Sequence, residues 1–208
     1  MKITKYGHSC LFVEEGGKSF LIDPGNYVVE DGSLSENDIE TLDYLLITHE
    51  HLDHMDTPFI KKLTKKFPNA IVLSNTSVAD ILGKEGISVQ TKANELVSLE
   101  EVPHEEIFMG PAPKNIMLTI AGKLSHPGDS HHFKTSSPIL ALPIQGSWGS
   151  TTNAVHLAAK LMPKVIIPIH DWHWHDKARQ WAYGHLETYF KKIEIDFIGL
   201  QTGETIEI

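Results

Sequence analysis

Apolar residues arrive in short bursts at the start of the chain. Residues 2–4, 9–13 and 19–22 read as strands, and Gly16-Gly17 between the last two reads as a hairpin turn. Asp23-Pro24-Gly25 breaks the pattern. Tyr44-Leu45-Leu46-Ile47 is an unbroken apolar run, as expected of a strand covered on both faces. Thr57-Pro58 reads as an N-cap followed by proline at the first helical position, which predicts a helix to about Phe67. Ile60, Leu63 and Phe67 fall on its inner side, and Lys61, Lys62, Lys65 and Lys66 form a solvated outer face. Further on, residues 70–73 predict a strand, and residues 77–82 a helix closed by Gly83. Strands are expected at 87–90, 95–99, 116–120 and 139–142, and a helix at 152–161 that stops before Pro163. Residues 165–169 form a second buried strand, 176–191 a helix, and 193–208 closing strands. Hairpins first and helices later point to a layered α/β protein.

Repeats, low-complexity tracts and long linkers are absent from the 208 residues, so a single domain over 1–208 is expected. One cysteine, Cys10, excludes an internal disulfide and suits a reducing compartment. The first residues hold no apolar stretch of signal-peptide length, and no run is long enough to span a bilayer. The expected location is the cytoplasm, with no membrane partner. A formal net charge of -9 makes long nucleic acid a poor partner. Oligomeric state is not legible, and a homo-oligomer stays open.

Histidine changes the picture. There are 13, with three inside residues 49–54, two at 131–132 and three inside 170–175. Histidine is the commonest metal ligand. Thr48-His49-Glu50-His51-Leu52-Asp53-His54 follows directly on the buried run at 44–47. In extended backbone, side chains two apart point the same way, so His49 and His51 can converge on one ion. Asp53 and His54, where the chain turns, can face a second. Imidazole with carboxylate suits zinc, and also manganese, iron or nickel.

His49-x-His51-x-Asp53-His54 resembles the signature of the metallo-β-lactamase superfamily, and the resemblance extends over nearly the whole chain. It implies a four-layer αββα sandwich and two divalent metal ions. It also implies three later ligands in the order His, Asp, His. His104 in Val102-Pro103-His104-Glu105 would complete the first site. Asp129 in Pro127-Gly128-Asp129 would bridge the two ions, with Gly128 allowing a sharp turn. His170, closing the run at 165–169, would serve the second ion. His8 resembles a position close to the metals, and Asp23 a carboxylate that orients a ligand histidine; an ordinary turn-forming role for Asp23 is the alternative. His131 and His132 are expected on a mobile rim loop, and His173 and His175 on the cleft or its rim, with either as a ligand in place of His170 as the alternative. Trp148, Trp172 and Trp174 are expected either to wall a pocket or to pack in the core.

The implied activity is hydrolysis by a hydroxide held between the two metals, cutting an ester, lactone, amide or phosphodiester bond in a small molecule. Asp53 would act both as ligand and as orienter of the nucleophile. His126, three residues before Asp129, would contact substrate or protonate the leaving group; a packed, hydrogen-bonded histidine is the alternative. Three rival readings stand beside this one: an iron-dependent oxidoreductase on the same ligands, a nucleic-acid phosphodiesterase, and a non-catalytic metal-binding or sensory protein.

Overall fold

A computed structural model of the protein describes residues 1–108 and 110–208. The chain divides into two compact units, residues 1–93 with 201–208, and residues 94–200. Each unit holds one six-stranded mixed sheet and its own helices.

The first unit contains β1 (Lys2–Tyr6), β2 (Cys10–Glu15), β3 (Lys18–Ile22), α1 (Asn26–Glu30), β4 (Tyr44–Leu46), α2 (Thr57–Lys66), β5 (Ile71–Leu73) and α3 (Thr76–Lys84). The last strand of the chain, β12 (Thr205–Glu207), pairs with β1. The sheet order is β12-β1-β2-β3-β4-β5. Pairing is antiparallel from β12 through β1 and β2 to β3, and parallel from β3 through β4 to β5. Residues 44–47 are all buried, as an unbroken apolar run requires. Leu21, Leu45 and Val72 pack with Phe59, Ile60 and Leu63 of α2 and Val78 and Leu82 of α3 into one apolar cluster. The lysines of α2 stay exposed while Ile60 and Leu63 are fully buried, as the spacing predicts. Phe67 is only partly buried, at the helix C-cap.

The second unit contains β6 (Val97–Glu101), β7 (Ile116–Ile120), β8 (Leu124–His126), β9 (Ile139–Pro143), α4 (Thr151–Leu161), β10 (Val165–Ile169), α5 (Asp176–Lys191) and β11 (Asp196–Phe197). Its sheet order is β11-β10-β9-β8-β7-β6, parallel from β11 to β8 and antiparallel from β8 to β6. Ala154 and Ala158 of α4 and Tyr183, Leu186 and Phe190 of α5 pack on Leu140, Leu142 and Ile166.

Parallel strands deliver their C-terminal ends to one sheet edge, and this positions the chemistry. Ile22 sits opposite Leu46, so Asp23 and Thr48 leave β3 and β4 side by side, with Asp23 N donating to Leu46 O at 2.9 Å. Ile169 sits opposite Pro143, so Gln145 and His170 leave β9 and β10 in the same way.

Several expectations need correction. Asp56, not Thr57, caps α2: its side chain accepts from Phe59 N, and Thr57 and Pro58 are the first two helical residues. The aspartate carboxylate reaches the orphan amide from one position earlier. Helix α3 begins earlier, on Asn75 as cap, and runs through Gly83 to Lys84. Glycine does not end a helix whose next residues still close their turns, and Glu85 N here returns to Leu82 O. The expected strand at 87–90 reduces to one bridge, Leu73 to Gln90, at the outer edge of β5. Helix α1 and strand β8 lie where no periodic signal was read.

Candidate metal centre

In the first unit the donors sit on the loop that follows β4. His49 Nε2 and His51 Nδ1 are 3.2 Å apart, so the two-residue spacing does bring the rings together. His54 N and Met55 N both donate to His51 O, and this turn carries the ring of His54 to 4.1 Å from that of His49. Glu50 faces elsewhere, accepting from Ser77 Oγ at 2.7 Å. Asp53 Oδ2 lies 3.2 Å from His8 Nε2 and 3.9 Å from His54 Nε2. His8, Asp53 and His54 each offer a ligand atom within 4.8 Å of the others. Asp23 is fully buried and accepts from Thr48 N (2.7 Å), Thr48 Oγ1 (2.7 Å) and His54 Nδ1 (2.7 Å). It therefore orients a histidine rather than merely forming a turn. Gly25 lets this loop close: a Cβ there would stand 1.9 Å from the Asp53 carbonyl oxygen.

In the second unit three loops contribute. His104 follows β6, Asp129 follows β8 and His170 follows β10. Asp129 Oδ2 lies 3.5 Å from His104 Nε2 and 3.1 Å from His170 Nε2, between the two. All three residues are at least 95% buried. Gly128, at φ +58°, makes the sharp step before Asp129, and Asn115 Nδ2 ties the preceding Pro127 O at 2.9 Å. His170 is itself left-handed, at φ +63°, a conformation costing a non-glycine residue on the order of 1–2 kcal/mol.

A divalent metal fits these donors on hydrogen-bond grounds. His104 Nδ1 faces the carbonyl of Glu105 at 2.6 Å, and His170 Nδ1 faces that of Gln145. A carbonyl only accepts, so each Nδ1 carries a proton and Nε2 is the atom turned toward Asp129. Thr48 Oγ1 gives its hydrogen to Asp23, so it accepts from His49 Nδ1 at 3.0 Å, and His49 Nε2 presents a lone pair. His51 Nδ1–H can meet the His49 lone pair across 3.2 Å, and at Asp129 two imidazole nitrogens and a carboxylate oxygen converge, a donor set that suits a divalent cation. Imidazoles fixed through the other nitrogen are the usual arrangement of metal-binding histidines.

The remaining expected residues take other places. His126 is fully buried, and its Nδ1 accepts from Gly128 N at 3.3 Å. The side chain of His131 is buried: its Nε2 meets Pro143 O at 2.8 Å, its amide donates to Glu105, and its ring lies edge-on to Trp148. Burial lowers the pKa of His131. His132 is the exposed one, 3.2 Å from Glu105. His175 caps α5, accepting from Lys177 N, and His173 is exposed beside Trp172. Of the tryptophans, Trp148 leans on His170 (4.9 Å) and His104 (6.2 Å), whereas Trp174 packs on the apolar cluster of the unit. Thr48, Glu105 and Gln145 escaped the sequence reading. Two of these act through backbone carbonyls, which leave no side-chain signal.

Comparison with known proteins agrees with this chemistry. Residues 2–170 match the family described as beta-lactamase superfamily domain. A UPF0173 protein of Pyrococcus abyssi is 31% identical over 187 residues, covering 82% of this chain and 83% of the relative. A UPF0173 metal-dependent hydrolase of a Geobacillus species is 29% identical over 199 residues, covering 82% and 85%. A solved metallo hydrolase from the archaeon Ignicoccus hospitalis matches with a TM-score of 0.73 at 20% identity, over 99% of this chain and 97% of that one. The likeness shows the fold, an α/β sandwich of the metallo-β-lactamase class, as expected.

Proposed function

The chain belongs to the β-lactamase superfamily and is a metal-dependent hydrolase; on that footing we propose that its donors hold two divalent ions, zinc foremost, to hydrolyse a small molecule. His49, His51 and His104 serve one ion, Asp53, His54 and His170 the other, and Asp129 is shared. When bound, the ions supply an acidified water as nucleophile and a Lewis acid for the electrophile.

The chain's own residues do the rest. Asp23, Thr48 and the carbonyls of Glu105 and Gln145 hold protons on Nδ1, which keeps each Nε2 available. Asp53, half-buried, orients the water and is itself held by His8. His126 steadies the turn that carries Asp129, the packed role rather than that of a leaving-group donor. Trp148 walls the site beside His104 and His170, which suits an ester, lactone, amide or phosphodiester with an apolar or ring-shaped group.

The observation that carries this reading is Asp129 Oδ2 between two histidine nitrogens whose rings are tethered from behind. Metal content by mass spectrometry, on protein purified without tag or chelator, tests it. About two ions per wild-type chain are expected, fewer in Asp129→Ala. Absence of metal after reconstitution overturns the proposal, and iron in place of zinc favours the oxidoreductase.

A further inference from the structure

We infer that Tyr183, Asp171 and Arg179 form a clamp that positions His170, so that α5 sets the affinity of one ion; this rests on the two-ion reading above. The carboxylate of Asp171, the residue after His170, is 98% buried. The Tyr183 hydroxyl donates to its Oδ2, and Arg179 Nε lies 3.3 Å from the same oxygen. Arg179 Nη2 also donates to Asp171 O (3.3 Å) and Trp174 O (3.2 Å), while Trp174 N donates to Asp171 O (3.1 Å). The turn that follows His170 is thus locked to α5 through main chain and side chain together.

The direction of the Tyr183 hydroxyl is set by the core. Its ring is buried and lies edge-on to Phe197 at 5.4 Å. Burial first, and the Asp171 charge second, raise the phenol pKa, so Tyr183 remains a donor. On the opposite side, His170 Nδ1 donates to Gln145 O. Ring and backbone are therefore held from two directions, and a left-handed residue stays in place only when its surroundings over-determine it.

A buried carboxylate is costly to desolvate and is not needed to dock α5. Leu186, Phe190 and Tyr183 already pack the helix on its sheet. The polar cluster sits instead directly behind a donor residue, where sub-ångström placement governs affinity. Asp171, Tyr183 and Arg179 act through His170 and are positioning residues.

The test is the affinity of each zinc site, measured on the full chain by competition with a chromophoric chelator, for wild type, Tyr183→Phe and Asp171→Asn. The melting temperature of the chelated protein is recorded beside it. In both variants one affinity is expected to fall about 10–100-fold while the other holds. In a His170→Ala background, adding Tyr183→Phe is expected to change no affinity further. Equal loss at both sites overturns the inference, as does a lower melting temperature with both affinities unchanged. A wild type that takes up no zinc fails the two-ion reading itself, a result distinct from anything the variants show.

Discussion

Asp23 shows how one residue can serve a site without touching substrate. Its φ is +46°, in the left-handed region that aspartate and asparagine tolerate best. Asp23→Asn therefore keeps the backbone while replacing one acceptor oxygen by an amide that faces donors. Of the three hydrogen bonds from Thr48 and His54, at least one is lost. Chemical denaturation is expected to show a loss of about 1–3 kcal/mol, the cost of a buried group left unmatched. Metal affinity should fall by about 10–100-fold, read by chelator competition, because His54 is no longer aimed. An Asn variant as stable and as tight-binding as wild type would return Asp23 to a plain turn residue. The sequence offered both roles, and only the position of Thr48 and His54 decides between them.

Among elements, the long helices and the fully apolar strands were the most legible. Strand β10 and helix α5 fall on the expected residues, because five consecutive apolar positions and sixteen amphipathic ones are hard to mistake. Helix starts were less so. Asp56 and Thr57 are both good caps by type, and geometry selects Asp56. Asp56→Ala should destabilise the protein by about 1 kcal/mol in urea unfolding. Thr57→Ala, at the first helical position, should change it by less than about 0.5 kcal/mol. Reversed magnitudes would restore Thr57 as the cap. Helix α1 and strand β8 were invisible because five and three residues hold no full period and neither is a continuous apolar run.

For the molecule as a whole, metal and stability should be linked. A ligand that binds only the folded chain, present at about 100 times its dissociation constant, stabilises by about 2.7 kcal/mol. For a protein of 208 residues this corresponds to about 5–10 °C in melting temperature. Chelation should lower the midpoint by that much and zinc should restore it in a differential scan. An unchanged midpoint would mean that the donors hold no ion tightly. Among the described residues no helix is long and apolar enough to cross a membrane.

The sequence by itself determined what is local. The run from Thr48 to His54 places ligand-type side chains at strand spacing after a buried strand, and His170 closes another apolar run, whereas Asp129 was singled out by the family resemblance and not by a strand read before it. The first two features need only chain direction, residue type and hydrophobic pattern. Tertiary structure alone decided which nitrogen of each ring is tethered and by what. Asp23 meets Thr48 across 25 residues and His54 across 31, and Tyr183 meets Asp171 across 12. Such partners are chosen by sheet register and by the docking of α5, where a hydrogen bond forms or fails within fractions of an ångström. No periodicity along the chain encodes that distance.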